Sequence, residues 1–104
     1  MPEGRQSFES YFRLPVTLGR LFLVLGDIGQ WPSQGSPRLL VRKENERLTI
    51  SFDDLTRASV HFRTIGEFTE LAIRHELCID DQQVERWKAY WQALVTDLNE
   101  RLAG

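Results

Sequence analysis

His75 is the polar residue whose sequence context best suits it to chemistry. It alternates with Leu71 and Ile73, so a strand here would turn its imidazole toward the apolar face of a sheet. One role is a pocket histidine that hydrogen-bonds a ligand or transfers a proton. The other is a structural histidine, hydrogen-bonded by the backbone or by a nearby carboxylate such as Glu76 or Asp27. Both roles stay open, and the structural one is favoured.

Aromatic residues supply a second set of candidates. Trp87 and Trp91 lie one helical turn apart, a spacing that also suits core filling, and we favour core packing for both. Tyr90 lies beside that stripe, where its hydroxyl can reach a ligand. We predict a candidate ligand-binding lining made of Phe22, Trp31, Phe52, Phe62, His75, Trp87, Tyr90 and Trp91.

Other kinds of active site are not supported. Cys78 is the single cysteine and has no arranged histidine partner, which argues against nucleophilic catalysis and excludes an internal disulfide. The spacings of His61, His75 and Cys78 match no metal site. Asp53 and Asp54 are interpreted as turn formers, because adjacent strand residues face opposite sides of a sheet. We predict no catalytic residue, metal or cofactor, and favour a protein that is not an enzyme.

Composition and charge narrow the class further. The chain has 104 residues and a net charge of −2, which predicts one domain over residues 1–104 and no nucleic-acid footprint. Its longest apolar run, Leu21–Leu25, is far too short for membrane insertion. A lone cysteine and no signal-peptide pattern favour a cytoplasmic location.

The element that must position the aromatic residues is a long helix over Asp80–Leu102. Asp80 is the expected N-cap, with Gln83 three residues later. The apolar face recurs at spacings of three and four: Val84, Trp87, Trp91, Leu94 and Leu98.

Shorter elements precede this helix. We predict a strand over Phe8–Leu14, ended by Pro15, and a helix capped by Thr17. The helix is expected to run through Gly26 and to turn Ile28 inward, and Trp31 is expected to fold back onto the core. Four strands follow, at about Leu39–Lys43, Leu48–Phe52, Ala58–Arg63 and Glu70–Leu77. Their short connections predict antiparallel hairpins.

Two stretches, FTELAIRHEL and DDQQVERWKAYWQALVTDLNERL, resemble the C-terminal signature of the START/SRPBCC superfamily. The nearest branch is the AHSA type, the homologues of the chaperone-ATPase activator. That branch ends in a strand T-x-L-x-x-x-H-x-x-L and a helix W-x-x-Y-W-x-x-x-L. The corresponding positions are Thr69, Leu71, His75 and Cys78, then Trp87, Tyr90, Trp91 and Val95, with Pro15, Phe22, Asp27 and Trp31 upstream. Cys78 stands where the family more often has leucine, and Leu77 precedes it by one residue.

The resemblance implies an α+β helix-grip fold, in which a curved antiparallel sheet (a strand, a helix and a four-stranded meander) packs on the long C-terminal α-helix. The superfamily binds hydrophobic small molecules in a cavity between sheet and helix. Full-length members have more strands than the four that fit here before the last helix, so the cavity is expected to be smaller or open.

Two functions follow. The first is a small bacterial-type domain that binds a hydrophobic small molecule between sheet and helix. The alternative is a protein-interaction module, a homodimer or a co-chaperone-like adaptor, with a filled core and no ligand; dimerisation would cover the edges of the shortened sheet. A cyclase-type enzyme rests on analogy alone.

Overall fold

The computed structural model describes residues 6–27, 31 and 36–103. It confirms the α+β class, with five strands and two helices in the described part of the chain. In chain order these are β1 (Gln6–Leu14), α1 (Leu18–Leu25), β2 (Arg38–Lys43), β3 (Arg47–Ser51), β4 (Arg57–Ile65), β5 (Phe68–Cys78) and α2 (Asp81–Ala103).

The five strands form one antiparallel sheet in the order β1-β5-β4-β3-β2. The meander from β2 to β5 is as predicted, and β1 adds to it beside β5. The register places Phe12 opposite Leu71, and Leu71 opposite Phe62, so these residues share one face of the sheet. Both helices pack on that apolar face: α1 contacts β4, and α2 contacts β1 and β5.

The short helix α1 ends earlier than its sequence pattern predicts. Thr17 caps its start, where its Oγ1 accepts from the Arg20 N–H at 3.4 Å. The helix stops at Leu25, and Gly26 is its C-cap, donating its N–H to the Phe22 carbonyl at 2.8 Å. A Cβ at Gly26 would lie 2.9 Å from that oxygen, so glycine permits the tight end. The predicted inward position of Ile28 lies outside the described residues.

The long helix α2 follows its predicted pattern closely. Asp80 caps it, because its Oδ1 accepts from the Gln83 N–H at 2.8 Å. The Gln83 side chain does not return to Asp80 as a capping box would; its Oε1 accepts from the Ile79 N–H at 2.7 Å. The predicted apolar stripe, Val84, Trp87, Trp91, Leu94 and Leu98, is buried. Neither helix carries an apolar stretch that would let it cross a membrane, as far as the described residues extend.

Candidate functional site

His75 lies in the interface between β5 and α2, with an exposed fraction of 0 %. Its imidazole stacks on Trp87 at 4.5 Å between ring centroids. Phe52 lies at 5.3 Å and Phe8 at 5.6 Å, both also stacked. Strand parity predicted this inward orientation, whereas His61 of the neighbouring strand β4 is exposed.

Both ring nitrogens of His75 are hydrogen-bonded. The indole Nε1–H of Trp91 donates to Nδ1 at 3.0 Å, so Nδ1 must carry a lone pair. The other nitrogen, Nε2, lies 2.9 Å from the Thr56 hydroxyl, which itself donates to Asp54 at 2.5 Å. Because that hydroxyl proton is committed to Asp54, the Nε2–H is the donor to Thr56. The network therefore assigns the neutral tautomer with the proton on Nε2.

Asp54 terminates this chain of hydrogen bonds. Its Oδ1 accepts from the Thr56 hydroxyl and, at 3.0 Å, from the Thr56 N–H. Its Oδ2 accepts from Gln83 Nε2 at 3.0 Å and from Trp87 Nε1 at 2.9 Å. Burial acts to raise the pKa of Asp54, but these hydrogen bonds, those from Thr56 first, outweigh it and hold the pKa below its ordinary value.

The same surroundings keep His75 uncharged. Burial lowers the pKa of His75 from 6.5 to about 4, and the attraction of the Asp54 carboxylate opposes this only in part. At neutral pH the imidazole is therefore neutral, shielded from solvent and bonded at both nitrogens. Such a group ties α2 to the sheet and has no free nitrogen to offer a substrate. This geometry supports the structural role.

The partners of His75 differ from those that the sequence suggested. The carboxylate behind it is Asp54, reached through Thr56, whereas Glu76 lies 3.8 Å from Arg57 in an ion pair. Asp54 does form a turn, as predicted, through its bond from the Thr56 N–H. Its second role, as the acceptor that joins the β3–β4 loop to α2, was missed, because nothing within the sequence DDLT points to Gln83 or Trp87.

The eight predicted lining residues are all buried, six of them in one aromatic cluster and the other two in a separate pair. Phe52 lies at the centre of the cluster, 4.3 Å from Trp87 and 6.0 Å from Tyr90. Trp31 packs edge-on against Trp91 at 5.5 Å and donates its Nε1–H to the Leu25 carbonyl, which confirms that it folds back. Phe22 of α1 and Phe62 of β4 form a separate pair, with ring centroids 5.0 Å apart. We call Trp31, Phe52, His75, Trp87, Tyr90 and Trp91 the aromatic cluster.

Tyr90 belongs to the interior of the cluster. Its exposed fraction is 6 %, and burial raises the pKa of its phenol to about 12. Its ring meets Trp87 edge-on at 4.8 Å and Trp91 at 5.3 Å. Tyr90 therefore stays neutral and packs with its neighbours at this end of α2.

A groove opens at the other end of α2, with a volume of about 550 Å³. It lies between the start of α1, the β4–β5 hairpin and the last turn of α2. Val16, Leu18 and Leu102 on its walls are partly buried and pack against the core. Polar side chains complete the lining, and the full set is Pro15, Val16, Thr17, Leu18, Arg20, Thr64, Gly66, Glu67, Phe68, Thr69 and Leu102. None of the eight predicted lining residues belongs to it.

Across the described residues, no three His, Cys, Asp or Glu side chains come together in a way that could hold a metal ion. Cys78 is buried and is the last residue of β5, so this strand extends one residue beyond its predicted end at Leu77. Burial raises the pKa of its thiol above the ordinary value.

Comparison with known proteins rests on structure. No protein-family model matches this chain, and no curated protein sequence matches it. CalU16 from Micromonospora echinospora has a similar structure, with a TM-score of 0.71 and 15% identity over 90% of this chain and 74% of CalU16. The Polyketide_cyc-like protein Cgl2372 from Corynebacterium glutamicum is similar with a TM-score of 0.51 and 16% identity, over 99% of this chain and 90% of its own.

The chain has the helix-grip fold. The likeness confirms the predicted fold, an antiparallel sheet packed on a long C-terminal helix. Within this helix-grip domain, α2 is the gripped helix, and its two ends differ. The aromatic cluster fills the interface near the start of α2, while the groove lies at its carboxyl end.

Proposed function

We propose that this protein is a binding module for an apolar small molecule, which enters the interface between sheet and α2 through the groove at the carboxyl end of α2. The observation that carries the proposal is the groove itself. Its volume of about 550 Å³ falls within the range of roughly 300–1,000 Å³ that small-molecule sites occupy. Its apolar walls are the margin of the core, so a ligand there would extend the buried apolar surface.

The aromatic cluster is the less suitable end for a ligand. A molecule placed there would have to displace rings in direct contact, such as Phe52 and Trp87, and break the bond between Trp91 and His75. Leaving His75 Nδ1 buried and unpaired would cost about 1–3 kcal/mol. We therefore propose the groove as the part of the interface that a ligand can reach, and the predicted lining residues as part of the core against which its walls pack.

The chemistry of the groove favours a ligand with an apolar body and a polar end. Val16, Leu18, Leu102 and the half-exposed ring of Phe68 offer apolar contact, and the exposed side chain of Arg20 provides one cationic group at the rim. A medium-chain alcohol or carboxylate has this character.

Dodecanol and dodecanoate are suitable probes, titrated into ¹⁵N-labelled protein and followed by amide chemical shifts. We expect shifts in Val16–Leu18 and Phe68–Thr69. Thr64→Trp places a large side chain at the exposed rim of the groove and should weaken binding about tenfold or more. Thr96→Trp, the same substitution at an exposed position of α2 outside the groove, is the matched control. Equal binding by both variants, or no binding of either probe, would contradict the proposal.

A second candidate function, self-association, is favoured by the β2 edge of the sheet. Leu40 and Val41 on this edge strand are exposed by 51% and 40%. An edge strand leaves backbone donors and acceptors unpaired, and these can pair with the same strand of a second copy. Light scattering over a range of concentrations tests this: a dimer that Val41→Lys converts to a monomer would support it, and a monomer at every concentration would exclude it.

We also propose that the protein belongs to the AHSA-type branch and is located in the cytoplasm. Membership of the AHSA-type branch is supported by the sequence match of β5 and α2, in which His75, Trp87 and Trp91 hold the motif positions. A cytoplasmic location is supported by the lone, buried thiol of Cys78.

A further inference from the structure

The face of the sheet that points away from both helices carries a row of three residues with a small one in the middle. The register places Tyr11 of β1 opposite Ala72 of β5, and Ala72 opposite His61 of β4. Tyr11 is exposed by 60%, His61 is exposed, and Ala72 between them is half-buried. Two surface cavities, of about 240 and 460 Å³, are both lined by all three residues. We call this feature the outer slot.

The width of the outer slot suits one planar ring. Neighbouring strands lie about 4.8 Å apart, so the positions of Tyr11 and His61, two strands apart, are separated by roughly 10 Å. Aromatic rings stack with centroids about 4.5–7 Å apart, so a ring centred over Ala72 would lie within stacking distance of both neighbours. The alanine methyl forms a low floor, where a larger side chain would occupy the space. The Tyr11 hydroxyl donates to Glu9 at 2.8 Å, which holds the tyrosine side chain in place.

The charges flanking the outer slot are unequal at its two ends. On one side, Glu70 lies between Arg13 at 3.7 Å and Arg63 at 3.3 Å, so two guanidinium groups face one carboxylate. Both arginines are largely exposed, which leaves them accessible to a ligand. On the other side, Glu9 and Arg74 form a balanced pair at 3.8 Å. The surplus positive charge favours an anionic group at the Arg13–Arg63 end.

We propose that the outer slot is a second binding site, which takes a planar aromatic anion with its ring between Tyr11 and His61 over Ala72 and its acidic group on Arg13 and Arg63. This site is separate from the groove at the end of α2 and does not depend on the function proposed for it. Tyr11 and His61 supply the stacking surfaces, and Arg13 and Arg63 select the charge.

The probe for this site is 2-naphthoate, titrated into ¹⁵N-labelled protein. We expect saturable shifts at Tyr11, His61 and Ala72, about tenfold weaker binding of cyclohexanecarboxylate, which has the charge without the planar ring, and weaker binding of 2-naphthylmethanol, which has the ring without the charge. Ala72→Leu fills the floor of the slot and should reduce the affinity for 2-naphthoate at least tenfold. Ala89→Leu, at an exposed position of α2, is the matched control and should bind normally.

Three results would overturn the proposal. The first is equal affinity of the Ala72→Leu and Ala89→Leu variants for 2-naphthoate. The second is equal affinity of the unaltered protein for 2-naphthoate and cyclohexanecarboxylate, which would remove the argument from stacking. The third is loss of 2-naphthoate binding in Thr64→Trp with no loss in Ala72→Leu, which would place the probe in the groove. Amide spectra of each variant confirm that the fold is intact.

Discussion

At the scale of single residues, His75 links acidity to stability. In the unfolded chain its imidazole takes up a proton near pH 6.5, whereas burial lowers the pKa in the folded protein to about 4. The contribution of the buried, neutral imidazole to the stability of the fold is therefore complete above pH 6.5 and is lost as the pH falls toward 4. We expect the free energy of unfolding to fall by about 2 kcal/mol between pH 7 and pH 5, measured by urea denaturation.

The two histidines provide a matched comparison for this effect. His75→Gln should lose most of the pH dependence, while His61→Gln, which alters an exposed ring, should retain it. NMR titration of the His75 ring protons in the unaltered protein gives the pKa directly. A His75 that titrates near 6.5, or a His75→Gln variant with an unchanged pH dependence, would contradict the prediction.

Asp54 and Asp53 provide a second comparison between adjacent residues of one type. Asp54→Asn removes a charge that accepts four hydrogen bonds, and its new NH₂ group would face a donor from Thr56, Gln83 or Trp87. We expect this variant to lose about 1–3 kcal/mol of stability. Asp53→Asn changes an exposed side chain and should stay within about 0.5 kcal/mol of the unaltered protein. Chemical denaturation at pH 7 measures the free energy of unfolding of both variants. An equal decrease in the two variants would show that the hydrogen bonds to Asp54 do not stabilise the fold.

The sequence predicts these residues unevenly. The alternation with Leu71 and Ile73 is enough to turn His75 inward, because strand parity is local. Its partner Thr56 is 19 residues away, and the distance between Asp54 and Trp87 in the chain is 33 residues. These contacts depend on the pairing of β4 with β5 and on the packing angle of α2. Neither the strand pairing nor the packing angle follows from the local sequence pattern, so the hydrogen-bond network could not be assigned from the sequence.

At the scale of elements, the β3–β4 hairpin holds one residue, Leu55, in a backbone conformation that leucine rarely adopts. Leu55 has a φ of 70°, the left-handed region that favours glycine, and its side chain is exposed by 74%. Its N–H bonds to the Phe52 carbonyl, and the Phe52 N–H bonds to the Thr56 carbonyl, which closes a three-residue loop. A leucine at such a position costs roughly 1–2 kcal/mol.

Replacing Leu55 separates backbone strain from side-chain contact. Leu55→Gly should raise the free energy of unfolding by about 1 kcal/mol, because glycine adopts this conformation without strain. Leu55→Ala keeps the β-carbon and removes the rest of the side chain, so it should leave stability nearly unchanged. Thermal unfolding of the two variants measures the difference. A loss of stability in both would show that the leucine side chain itself contributes to the fold.

The accuracy with which the sequence pattern predicts an element depends on the length of that element. The stripe of α2 was predicted residue by residue, because a helix of 23 residues repeats its pattern several times. The helix α1 has only eight residues, and its end at Leu25 is set by Gly26 and the fold-back of Trp31. The neighbour of β1 was also not predictable, since the hairpin lengths that order β2 to β5 say nothing about a strand separated from them by a helix.

At the scale of the whole molecule, α2 completes the hydrophobic core. Seven apolar side chains among those described on α2 are buried: Val84, Trp87, Tyr90, Trp91, Leu94, Val95 and Leu98. At about 1.5–3 kcal/mol each, their burial contributes roughly 10–20 kcal/mol, which is as large as the net stability of roughly 5–15 kcal/mol that a domain has. The sheet alone would also leave His75 and Asp54 without Trp91, Trp87 and Gln83.

A chain ending at residue 79 should therefore fail to fold. We expect it to show collapsed amide dispersion and no cooperative transition in urea. A chain ending at Asn99 is the control, because it keeps all seven buried side chains and removes only the last turn of α2, including Leu102. This control should remain folded and should bind dodecanol more weakly, because one wall of the groove is lost. A folded, cooperative chain of residues 1–79 would show that the sheet and α1 form a sufficient core, and that α2 is an accessory to the fold.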